Sequence, residues 1–111
     1  MLKKARLTDL GDEELDALIE EATVDCYDEY EQEAGFYATL EDKLALPFTT
    51  TIFGVNVTVK QIEQGDDGIH AICVHGEEKQ AVPLTELPIP SPPPKGIEWL
   101  GAYRHFRRFS Q

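Results

Sequence analysis

At Pro47 the spacing of the apolar residues changes, and that change fixes what the chain can fold into. Before it, Leu15, Leu18, Ile19, Ala22, Cys26 and Tyr30 recur at helical spacing, and Tyr37, Leu40 and Leu44 repeat the pattern more briefly. After it come β-branched or alternating runs over residues 49–53, 55–62, 69–74 and 80–84, punctuated by Gly54, by Gly65-Asp66-Asp67-Gly68 and by Gly76-Glu77-Glu78. A helical period in one block and a strand period in the next predict an α+β fold.

The first block reads as a helical hairpin over residues 10–46. Gly11 serves as N-cap, Asp12, Glu13 and Glu14 fill a first turn where the helix dipole favours acids, and Leu10 and Leu15 form a hydrophobic staple. The core stripe then predicts a first helix to about Tyr30, with Asp16, Glu20 and Glu21 on the wet side. Gly35 is expected to close it, a second helix to cover residues 36–44, and Pro47 to end that one.

The second block, residues 48–87, predicts a meander of four or five short strands forming a small SH3-like antiparallel barrel or strongly bent sheet. Pro88, Pro90, Pro92, Pro93 and Pro94 force an extended strap over residues 88–95, with a PxxP ligand as the alternative reading. Residues 96–109 give a C-terminal amphipathic helix with Trp99, Leu100, Tyr103 and Phe106 toward the core. At 111 residues the whole is expected to form one domain, probing no further than a single core.

Charge is unevenly spread. Residues 1–42 carry fourteen Asp and Glu against three Lys and Arg, whereas residues 43–111 carry seven of each. The net charge of -11 argues against nucleic acid, whose phosphates require Lys and Arg, and favours cations or basic partners. No run approaches the roughly 20 apolar residues of a membrane span. The start, Met-Leu-Lys-Lys-Ala-Arg, is followed by Thr8, Asp9, Asp12 and Glu13 instead of an apolar leader. With two distant cysteines, Cys26 and Cys73, this places the chain in a reducing cytoplasm, as a monomer.

Between Asp25 and Asp42 there is no basic residue, while acids and aromatic rings alternate. On a first helix prolonged to Tyr30, Leu18, Ala22, Asp25 and Glu29 follow i, i+4, i+7, i+11, so Asp25 and Glu29 continue the core face. Glu41, four residues after Tyr37 and three before Leu44, also points coreward, and two antiparallel helices would bring these acids together. Carboxylates drawn into a partly buried junction need a counter-charge. The candidates are Arg104, Arg107 or Arg108 docking from the last helix, a divalent cation, or a proton shared by an acid/base pair. Oxygen donors without a nearby His favour Ca²⁺ over Zn²⁺ or Cu²⁺, and crowded carboxylates favour it over Mg²⁺. EF-hand spacing is absent: counting from Asp25, the turn glycine falls on Tyr30 and the bidentate Glu on Phe36. The tip Gly65-Asp66-Asp67-Gly68 reads as a hairpin turn, with a weak second cation site as its alternative.

The pattern Asp25-x-Tyr27-x-Glu29-x-Glu31-Gln32, Gly35-Phe36-Tyr37, Leu40-Glu41, Pro47-Phe48, Gly54-Val55-x-Val57-Thr58-Val59, Leu87-Pro88-x-Pro90-Ser91-Pro92-Pro93-Pro94, Glu98-Trp99 and Ala102-Tyr103-Arg104 resembles the small bacterial calcium-binding family typified by the cyanobacterial protein CcbP. The resemblance covers residues 10 to about 108. It implies a cytosolic calcium-binding protein without EF-hands, a Ca²⁺ buffer or sensor, on a compact α+β domain. Family pattern and helical face coincide at Asp25, Glu29 and Glu41, and proximity adds Asp28 and Glu31; these five are the expected metal ligands.

Two other classes compete. In the first, barrel or strap is a protein–protein interaction module and the acids serve solubility or meet a basic partner. In the second the chain is an enzyme, but His70, His75 and His105 stand at no recognisable spacing to a Ser, Cys or Asp nucleophile. The expectation is therefore a non-enzymatic protein.

Overall fold

A computed structural model describes residues 10–109; the basic start of the chain lies outside them. The fold is α+β: helix α1 (Asp12–Ala22), helix α2 (Glu29–Lys43), strands β1 (Phe48–Ile52), β2 (Val55–Gly65), β3 (Gly68–His75) and β4 (Glu78–Pro83), a short 3₁₀ turn (Leu84–Glu86) and helix α3 (Ile97–Phe109). No helix among the described residues is long and apolar enough to cross a membrane.

α1 begins as its sequence dictates. The Glu14 carboxylate accepts from the Gly11 N–H at 2.7 Å, satisfying an amide that no helical carbonyl can reach. It ends eight residues earlier than expected, because the Thr23 hydroxyl and amide both turn back onto the Ile19 carbonyl (2.7 and 2.9 Å) and Asp25 adopts a left-handed conformation (φ 63°). Asp28 then caps a new helix, its Oδ1 accepting from the Glu31 N–H at 2.8 Å, while Glu31 Oε1 accepts from the Tyr27 N–H at 2.7 Å.

Gly35 consequently lies inside α2 and stops nothing. Its role is close approach: a Cβ there would stand 2.5 Å from the Ala22 carbonyl oxygen and 3.1 Å from Cys26 Sγ. The end of α1 thus packs directly on the α2 backbone. α2 buries Phe36 and Leu40, and its C-cap Leu44 extends the buried stripe, with Tyr37 at its margin.

The four strands form an antiparallel meander in the order β1-β2-β3-β4, joined by two-residue turns. It is an open sheet, with β1 and β4 as its two edges, so of the two forms expected, SH3-like barrel or bent sheet, the barrel does not form; four strands are too few to close around a filled interior. Beyond the 3₁₀ turn the chain is tied back to β1 and to the end of α2 by two hydrogen bonds. The Thr50 hydroxyl, buried in β1, donates to the Pro88 carbonyl at 2.7 Å, and the Ala45 N–H to Lys95 O at 2.9 Å. Gly96 (φ 84°) then passes so near Lys43 O, 2.0 Å from an ideal Cβ, that no side chain fits.

α3 closes the core with Ile97, Trp99, Leu100, Ala102, Tyr103 and Phe106. Phe36 sits against Phe106 (ring centroids 5.0 Å apart) and edge-on to Tyr103 (5.5 Å). Arg104 spends its fork on the carbonyls of Leu84 and Leu87, pinning the 3₁₀ turn to α3. Its burial, the cause of a lowered pKa, leaves it unavailable to the acidic segment.

Candidate metal centre

Capping by Asp28 fixes where α2 starts, and hence which of its acids look toward the sheet. From that start Glu33, Phe36, Tyr37 and Leu40 follow i, i+3, i+4, i+7, so Glu33 lies on the core stripe with Glu29 one turn before it. Opposite stands the β2–β3 turn, Asp66-Asp67 between Gly65 and Gly68. Glu29, Glu33, Asp66, Asp67 and Gln64 line one cleft of about 480 Å³, whose inner end is made by Phe106 and Arg107.

The inner end is the best-defined part. Glu33, with only 13% of its side chain exposed, receives Arg107 Nη1 at 2.9 Å on Oε2. The Tyr103 hydroxyl donates to the same oxygen and accepts from the Ile69 N–H at 3.0 Å and from Arg107 Nη1 at 3.3 Å. The hydroxyl is therefore saturated, and its pKa is pushed up to about 12, first by burial and then by the bond to Glu33. Burial alone would lower the Arg107 pKa; Tyr103 and Glu33 overcome it and raise it. Gly68 (φ 127°) makes room for this arrangement, since a Cβ there would fall 2.7 Å from Arg107 Nη1.

The five sequence-predicted ligands are distributed differently from the expectation. Asp25, Asp28, Glu29 and Glu31 share the α1–α2 connection and the first turn of α2, all exposed. Glu41 is exposed on the same helix as Glu29, twelve residues on, about 18 Å along the axis at 1.5 Å per residue. Asp25 and Glu29 do not continue the core face of α1, because α1 ends before them, and Glu29 and Glu41 do not meet across two helices, because one helix carries both. Glu41 instead accepts from the Tyr37 hydroxyl at 3.0 Å; burial first, and then this bond, raise the Tyr37 pKa. Among the described residues no group of three or more His, Cys, Asp or Glu stands ready-made to hold a metal ion.

What the structure adds to the five is Glu33, which the misplaced helix boundary had put in a connection. It also joins Glu29 to the hairpin tip Asp66 and Asp67, singled out in the sequence only as a weak second site. Of the arginines considered as partners, Arg107 reaches α2, whereas Arg108 is exposed. Carboxylates, the Gln64 amide and turn carbonyls make a donor set dominated by oxygen, which fits a hard divalent cation, with one imidazole beside it: His70 Nε2 stands 3.5 Å from Asp67 Oδ1. A second groove, of about 490 Å³, is lined along the sheet by Ile52, Phe53, Val55, Val57, Cys73 and Val82, of which Cys73 belongs to the core and Ile52, Val57 and Val82 pack against it.

A family model described as calcium binding, of the CcbP type, matches residues 16–106, a span that holds Glu29, Glu33 and the Asp66-Asp67 turn. No curated protein and no solved structure matches the chain.

Proposed function

The chain belongs to the CcbP calcium-binding family, and from that premise we propose that it is a cytosolic Ca²⁺ buffer that takes up its ion in the cleft between the start of α2 and the β2–β3 turn. One observation carries the reading: four carboxylates from two elements, Glu29 and Glu33 on α2 and Asp66 and Asp67 on the turn, line the same cleft.

Ca²⁺ takes six to eight oxygens at about 2.3 to 2.6 Å and tolerates irregular geometry. Glu29, Asp66 and Asp67 are exposed, so side-chain rotation is open to them when an ion enters, with Asp67 Oδ1 starting 3.5 Å from His70 Nε2. Gln64, turn carbonyls and water complete the shell. Asp25, Asp28 and Glu31 act at longer range, as a negative field that concentrates cations at the mouth. The helix dipole already offsets part of the charge at Asp28, Glu29 and Glu31, which favours Asp66 and Asp67 as the stronger ligands. Glu41 is an outlying acid of the same field. A buffer is favoured over a sensor because uptake of this kind exposes no apolar surface.

Calorimetric titration with CaCl₂ at physiological salt tests this. A saturable heat is expected, with a melting temperature that rises with Ca²⁺, as any ligand of the native state must produce. Asp66→Asn with Asp67→Asn, and separately Glu29→Gln, should weaken binding at least tenfold; Asp16→Asn and Glu20→Gln on α1 should leave it unchanged. No saturable heat and no thermal shift in the wild type would end the proposal.

A further inference from the structure

We propose that Arg107 is a tethered competitor for the ion: its guanidinium occupies Glu33 and the β2–β3 turn, and Ca²⁺ binds only by displacing it. The inference rests on the cleft reading above and deepens it by naming the residue that sets the affinity.

The guanidinium spans both walls. Nη1 lies 2.9 Å from Glu33 Oε2 on α2, and Nη2 donates to the Asp67 carbonyl at 3.2 Å across the cleft. A carboxylate and a turn carbonyl are the oxygen types a Ca²⁺ ion seeks, so the chain's own cation sits on two donors the guest would use. Two cations within a few ångströms repel strongly in a partly dry cleft, and both cannot hold Glu33.

The contact is also built to let go. Arg107 keeps 30% of its side chain exposed, on the last turn of α3, at the end of a long flexible stem. Its competitor's target is held in place regardless, because the Tyr103 hydroxyl donates to Glu33 Oε2 and is itself braced by the Ile69 amide. Both described bonds to Glu33 fall on Oε2, so Oε1 is the oxygen through which an ion first engages. Tyr103 thus acts as a positioning residue that holds Glu33 in place, while Arg107 is the exchangeable partner. The glycine at position 68 serves the same exchange, since any Cβ there would block the seat of the guanidinium.

Arg107→Gln should tighten Ca²⁺ binding at least about fivefold in calorimetry, the low end of ordinary coupling between two sites. Arg108→Gln removes the same charge from an exposed neighbour that does not touch Glu33, and should change affinity less than twofold. Without Ca²⁺ the Arg107→Gln protein should melt below the wild type, because Glu33 is left half-dry and uncompensated; saturating Ca²⁺ should close that gap. Unchanged or weaker binding in Arg107→Gln, or an equal gain in Arg108→Gln, overturns the proposal. Should Arg107→Gln fail to fold, ¹⁵N spectra of the wild type decide: Ca²⁺ should speed hydrogen exchange at the Arg107 guanidinium, and unchanged exchange at saturation overturns the inference. If the wild type shows no saturable Ca²⁺ heat, the cleft reading falls and takes this inference with it; if it binds and only the Arg107 variant is silent, this inference falls alone.

Discussion

Tyr103 is the residue on which core and cleft meet, and its ionisation gives a test independent of any metal. Its hydroxyl pKa is about 12 in the folded protein against an ordinary 10.0. Below pH 10 both folded and unfolded chains hold the proton and stability is unaffected. Between pH 10 and 12 only the unfolded chain loses it, so stability should fall by about 2 to 3 kcal/mol across that window. Denaturant titrations at stepped pH should show this fall in the wild type and a shallower one in Tyr103→Phe. Gly35 offers a second residue-scale test in which two effects oppose. Helix propensity favours alanine there by about 1 kcal/mol, but the Cβ would sit 2.5 Å from the Ala22 carbonyl oxygen. The clash is with backbone and cannot be relieved by a rotamer, so Gly35→Ala should destabilise by about 1 to 3 kcal/mol in urea unfolding.

At the scale of elements, the apolar stripes and the glycine-bearing turns were enough to find most of the fold. α3 was legible because Trp99, Leu100, Tyr103 and Phe106 form one stripe, and the meander because the first three strands each end at a turn bearing Gly or Asp. The boundary between α1 and α2 was not, since Cys26 and Tyr30 happen to fall at helical spacing. The correcting signal was present in Asp28-x-x-Glu31, an N-cap residue followed three positions later by glutamate. Gly35 misled for a different reason: the same residue type ends helices and permits close packing, and only the partner backbone distinguishes the two. The β1–β2 turn makes its own prediction. Phe53 is fully exposed and left-handed (φ 50°) beside Gly54 (φ 76°), a geometry that suits Asn-Gly far better. Phe53→Asn should stabilise the fold by about 1 kcal/mol, read as a higher denaturant midpoint at unchanged slope.

Over the whole molecule the acidity is placed before it is used. Most of the carboxylates of residues 10–42 lie exposed, and the one drawn into the core face, Glu33, arrives with its own guanidinium. The acid-rich stretch therefore led to the start of α2 but not to the cleft we propose: sequence spacing could not place the β2–β3 turn against α2. Because the remaining acids act as a field, Ca²⁺ affinity should drop steeply between 20 and 200 mM KCl, as screening shortens from about 20 to under 10 Å. The account as a whole is tested most directly by following backbone amides in ¹⁵N spectra during a CaCl₂ titration. The cleft reading predicts saturable shifts concentrated at Glu29, Glu33 and Gly65 through Gly68. Shifts confined to Asp25 and Asp28, or to Glu41 and its neighbours, with the β2–β3 turn unmoved, would contradict it.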